Sequence, residues 1–171
     1  HFRAVFQQAT TCAMAAAAVA LRAPRVNSDH AYLGGLLHHV GKSVALRSLA
    51  ALKLNPDPAR VARVLEKVHV VIGEDIHRAW SLPDYLVRIA THHHDGQVLP
   101  DEAMDLHVVR LVSSLHGLRL EPGLNPRAFV EVWESATVLE LDPYALRAVD
   151  TELRQLAAAA EQLDLSVSRA S

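Results

Sequence analysis

The feature that most limits how this chain can fold is its punctuation. Prolines at 24, 56, 58, 83, 100, 122, 126 and 143 divide it, and the longer stretches between them repeat apolar residues at three- and four-residue spacing. That spacing lays one face of an α-helix against a core. No stretch alternates apolar and polar residues in the way a half-buried strand does. The expected fold class is therefore all-α, a bundle of seven to eight helices.

The boundaries follow from caps and breakers. Residues 2–22 read as a helix whose alanines let neighbouring helices come close. Pro24 ends it, and Asn27, Ser28 or Asp29 offers a cap for a helix over 31–39. Gly34 and Gly35 each cost about 1 kcal/mol of helix propensity relative to alanine, so close packing is the reason to expect for them. Gly41 reads as a break before a short helix at 43–52. Asn55-Pro56 is a turn, Asp57 a cap and Pro58 the first residue of a helix to 80. Val61, Val64, Leu65, Val68, Ile72, Ile76 and Trp80 form its apolar stripe, with His69 beside it. Ser81-Leu82-Pro83-Asp84 is a corner and 84–93 a helix. Gly96 and Pro100 mark a loop, and 101–118 is helical. Pro122-Gly123 turns the chain, Asn125-Pro126 opens a helix to 135, and Asp142-Pro143 opens the last, to 163. No repeat or linker divides the chain. Residues 1–165 read as a single domain, followed by a frayed polar tail at 166–171.

Composition removes several function classes. Half of the 171 residues are hydrophobic and 21% are charged, which places the chain among globular domains. A net charge of −2 supplies no basic field, so neither nucleic acid nor a membrane surface is expected as a partner. No apolar run approaches the roughly 20 residues that span a bilayer. The lone cysteine, Cys12, cannot form an internal disulfide and fits a reducing cytoplasm; within its alanine-rich helix it reads as a small core residue. There is no glycine-rich phosphate loop and no nucleophile elbow.

Histidine is the unusual residue. Of the 11 in the chain, seven fall at 38–39, 69, 77 and 92–94. Imidazole nitrogens ligate zinc, iron, manganese or nickel, and a site needs three or more that converge. Each histidine has an ordinary alternative as a helix-end residue or a hydrogen-bonding support. Asp95 is the acidic neighbour to examine, beside Glu74, Asp75 and Asp84. Trp80 with Leu82-Pro83 reads as a packed corner, and Phe129 and Trp133 as core or interface.

Taken together, Gly35-Leu36-Leu37-His38-His39-Val40-Gly41-Lys42, His69 with Gly73, Trp80-Ser81-Leu82-Pro83 and Ile89-Ala90-Thr91-His92-His93 resemble the HD superfamily over residues 6–115. The chain is most similar to its HDOD branch, the HD-related output domains, and more distantly to the HD-GYP cyclic-dinucleotide phosphodiesterases. The glycine-tyrosine-proline signature of the latter is missing from 94–100. The resemblance implies an HD-domain-like helical bundle. It also implies a metal or metal pair held by a histidine of the first helix, a His-Asp doublet and a later aspartate. Here those positions read Gln8, His38-His39 and Ser113. The carboxylates that neutralise a divalent cation and anchor its hydroxide are gone. What survives is a candidate metal set of His38, His39, His69, His92 and His93.

HDOD domains are regulatory modules, so the resemblance implies a non-catalytic signal-transduction or output domain acting through other signalling proteins or domains. No catalytic residue and no resident cofactor are expected, beyond a weakly bound divalent metal (zinc, nickel, iron or manganese). The alternatives are a divergent metal-dependent phosphohydrolase acting on a nucleotide or cyclic dinucleotide, and a histidine-cluster pH switch. The family also carries several helices ahead of the first-helix motif, and this chain begins almost at that motif. A domain lacking those helices would expose apolar surface, which self-association would cover.

Overall fold

Helix starts are set by local hydrogen bonds at the expected caps. The Asn27 side chain accepts from the backbone N–H groups of Asp29 and His30, and that of Asp57 from Ala59 and Arg60, just before Pro58. The Asp142 carboxylate accepts from the Ala145 N–H at 2.7 Å, just before Pro143. Each satisfies donors that the first helical turn leaves without a backbone partner.

A computed structural model describes residues 2–52, 57–95, 104–120 and 126–170, with side chains to residue 162. Several sequence readings lie outside those residues: the Asn55-Pro56 turn, the Gly96 and Pro100 loop, the helix start at 101, the Pro122-Gly123 turn and the Asn125 cap. The described elements are all helical: α1 (Phe2–Ala20), α2 (Ser28–Leu37), α3 (Val40–Ala51), α4 (Pro58–Ala79), α5 (Asp84–His92), α6 (Met104–Leu120), α7 (Pro126–Val138) and α8 (Pro143–Ala170). No described helix is long and apolar enough to cross a membrane. Helix α8 passes the expected end at 163, because no glycine or proline follows Pro143 to stop it.

Helix α1 is the hub and packs on α2, α3, α6 and α8. Its small residues carry the packing: Cys12, Ala15, Ala16 and Val19 meet Ala31, Leu111, Leu139 and Leu153 in the main core. A β-carbon on Gly35 would fall 2.7 Å from the Cys12 carbonyl oxygen, and one on Gly34 2.6 Å from Ile89 Cδ1. Both glycines thus allow the close packing expected of them. A second core joins α1, α3 and α4 through Val5, Ala45, Leu46, Val61 and Leu65. Helices α6 and α7 share a polar seam, with Arg110 on Glu134 at 3.1 Å and Ser114 on Glu131 at 2.7 Å.

Three local readings change. Gly41 does not break a helix: the chain turns at His38–His39, and Gly41 lies in the first turn of α3 against α4. Helix α4 buries Val61, Leu65, His69, Gly73 and His77, so His69 sits at the centre of the buried face and not beside it. Val64 and Trp80 of the expected stripe are exposed, Trp80 by 58%. The four-residue steps of the buried set track α3 and α5, the helices packed on α4. Of the core-or-interface reading of Phe129 and Trp133, the core half falls, because they stand 57% and 70% exposed on α7.

Candidate functional site

Three elements deliver the imidazoles. His39 sits at the corner between α2 and α3, His69 in the middle of α4, and His93 and His94 just past the end of α5. Helices α3 and α4 approach closely because Gly41 has no side chain, and α4 meets α5 where Gly73 faces Ala90. Ring centroids lie 5.1 Å apart for His39 and His69, 5.2 Å for His39 and His93, and 5.4 Å for His69 and His94. One nitrogen from each of the four rings falls within 4.8 Å of the others.

Backbone carbonyls fix two of the rings. The Nδ1–H of His69 donates to Leu65 O at 2.9 Å, and that of His93 to Ile89 O at 3.0 Å. A carbonyl can only accept, so Nδ1 carries the proton in each neutral ring and Nε2 is left as an acceptor. The two Nε2 atoms face one another at 3.3 Å. Among the described residues, neither nitrogen of His39 has a hydrogen-bond partner, and Nε2 of His94 has none.

Burial keeps these rings neutral. Desolvation pulls His69 down to about 4, with the Lys42 ammonium adding to it. His94 is likewise brought to about 4, mainly by burial. His39 and His93 are pushed well below their ordinary range, first by burial and then by the neighbouring imidazoles.

The residues expected from the sequence divide. His39, His69 and His93 come together. His38 is buried with its Nδ1–H on Gly35 O at 2.9 Å; its ring packs on those of His39 and His93 but stands outside the four. His92 is exposed and pairs with Asp95 Oδ2 at 3.3 Å. His94, absent from the expected set, converges with the other three. The signal for it was the run of three histidines across a helix end, where one residue more or less turns a side chain by about 100°.

A cavity of about 540 Å³ adjoins the cluster, lined by His39, His94, Lys42, Glu66, Arg127, Glu131, Gln8 and Ser113 among others. Gln8 and Ser113, two of the three positions where the resemblance places lost ligands, therefore border the same space as the imidazoles, and the third is His39 itself. The cavity's carboxylates are engaged. Buried Lys42 donates to Glu66 Oε1 at 2.6 Å. Glu131 accepts from Ser114 Oγ at 2.7 Å and Arg127 Nε at 2.9 Å. Burial raises the Glu66 carboxyl, but the charge and hydrogen bond of Lys42 outweigh it and hold it below its ordinary value. Sequence reading missed Glu66, which lies one helical turn before His69, and Glu131, which has no histidine near it in the chain. The four imidazoles can hold a metal ion. They do not fit the carboxylate-held pair of hard cations that the resemblance implies.

The family model described as HDOD domain matches residues 1–96, more than half of the chain. The chain belongs to the HDOD domain family. No curated protein and no solved structure matches it. The HDOD match spans α1 to α5 and so contains all four clustered histidines, whereas α6, α7, α8 and Ser113 lie beyond it.

Proposed function

We propose that this HDOD domain is a non-catalytic signal-transduction or output module that works through contacts with other signalling proteins or domains. One observation carries the reading. The cavity beside the imidazoles offers Gln8 and Ser113 at the positions where a hydrolase needs ligands, and its two carboxylates are tied to Lys42, Arg127 and Ser114. A phosphohydrolase needs anionic ligands to neutralise its cations and hold a metal-bound hydroxide in line with phosphorus. Breaking the Lys42–Glu66 pair to free a ligand would strand a buried ammonium.

Surface for such contacts is available. Phe129, Val130 and Trp133 are exposed together on α7, whose opposite side meets α6 through the polar seam. Exposed aromatic residues of this kind are common anchors in protein interfaces. A reducing cytoplasmic setting belongs to the same reading, in keeping with a single buried cysteine whose thiol burial pushes up to about 12.

The test is an activity assay on tag-free chain with an activated phosphodiester and with cyclic dinucleotides, in manganese, iron and zinc. The expected outcome is no turnover above the metal-only blank. Turnover that disappears in His69→Ala would overturn the proposal in favour of a divergent phosphohydrolase.

A further inference from the structure

We propose that His39, His69, His93 and His94 bind one zinc-class divalent cation in a four-imidazole site that ties the end of α5 to α4 and to the α2–α3 corner. The inference is independent of whether the domain signals. It also differs from the carboxylate-held pair implied by the HD resemblance, in both nuclearity and the kind of ion.

The first argument is the arrangement of lone pairs. With both Nδ1 protons committed to backbone carbonyls, the Nε2 atoms of His69 and His93 are two acceptors pointed at each other across 3.3 Å. Two neutral acceptors repel at that distance, and only a shared cation or proton makes the contact favourable. A shared proton would serve only these two atoms, both on rings that are 0% exposed, and would leave the nitrogens of His39 and His94 as they are. Among the described residues, His39 adds two buried nitrogens without partners and His94 one. Buried polar atoms are rarely left unpaired, and an ion at the centre would satisfy the acceptor nitrogens of all four rings at once.

The second argument is distance. Zinc–imidazole bonds of about 2.05 Å, arranged tetrahedrally, place the nitrogens about 3.3 Å apart. The His69–His93 separation is 3.3 Å. The remaining donors, all within 4.8 Å, need shifts of about 1.5 Å or less, within reach of side-chain rotation.

The third argument is donor chemistry. Four imidazoles and no carboxylate favour zinc, cobalt, nickel or copper over magnesium, calcium or manganese. The Nδ1–H···O=C bonds of His69 and His93 are the usual outer-shell supports that orient a ligating ring. Lys42 opposes the ion's charge and Glu66 offsets Lys42, so the affinity should fall below that of a closed thiolate zinc site.

The experiment is a cobalt titration of tag-free protein followed by optical absorption, with zinc as competitor. The expected result is one equivalent of Co²⁺ bound with a dissociation constant below about 10 µM, an intense visible band typical of tetrahedral nitrogen ligation, and displacement by zinc. His69→Gln and His94→Gln should each weaken binding at least about tenfold, whereas His92→Gln should leave it unchanged. If His69→Gln fails to fold, His94→Gln, beyond the end of α5, carries the comparison. No saturable binding, a weak octahedral-type spectrum, or binding that needs His92 but survives loss of His94 would overturn the proposal. In the first of these cases the four rings are bridged by water.

Discussion

A β-carbon on Gly41 would lie 2.0 Å from the backbone carbonyl oxygen of His69 and 2.8 Å from the amide nitrogen of Gly73. Helix α3 therefore rests directly on the backbone of α4, at the residue that presents an imidazole to the cluster. Neither obstacle is a side chain that can swing aside. Gly41→Ala must push the two helices apart, at a cost of about 3 kcal/mol, the upper end of ordinary overpacking. The gain in helix propensity, about 1 kcal/mol, offsets only part of that. Urea unfolding should show a net loss of about 2 kcal/mol or more, and a variant as stable as its parent would refute the packing described.

The buried imidazoles make metal-free protein sensitive to acid. His38 is lowered to about 3, by burial first and then by Lys42, and His116 to about 4, again mainly by burial. In the unfolded chain both groups return to about 6.5. Folded and unfolded states bind the same protons above that value, so the full stability is present there. As pH falls below about 6.5 only the unfolded state is protonated, and stability drops until the folded pKa values are reached. Each such histidine costs up to about 1.4 kcal/mol per pH unit, reached once the unfolded imidazole is fully protonated, so two remove about 3 kcal/mol between pH 6.5 and 5. Thermal unfolding followed from pH 8 to 5 should show a steep fall starting near 6.5. A flat profile would exclude both buried neutral rings and an acid-responsive switch.

Trp133 and Phe129 project from α7 away from the cores, so their loss should cost the fold little. The double variant Phe129→Ser/Trp133→Ser is expected to unfold within about 0.5 kcal/mol of the parent, as surface changes usually do. Any concentration-dependent association of the parent in sedimentation velocity should weaken in the variant. Unchanged association would direct attention to other exposed apolar residues, such as Phe2 and Phe6 on α1.

The sequence by itself determined where the helices begin and which residue types could form the site. Asn27, Asp57-Pro58 and Asp142-Pro143 act on backbone groups two or three residues away, so their effect is written in the local order of the chain. The motifs around His38-His39, His69 and the histidine triplet were enough to place the chain in the HDOD family. Tertiary structure decided the rest. Periodicity says that α4 has an apolar side, but only contact with α3 and α5 centres its buried face on His69 and leaves Trp80 outside. Gly41 reads as a helix breaker until α4 lies against it. His94 replaces His92 in the cluster because side-chain direction at a helix end depends on where the helix stops, and each residue there turns it by about 100°. Which face is buried, and which imidazole turns inward, are properties of neighbours distant in sequence, and local spacing carries no record of them.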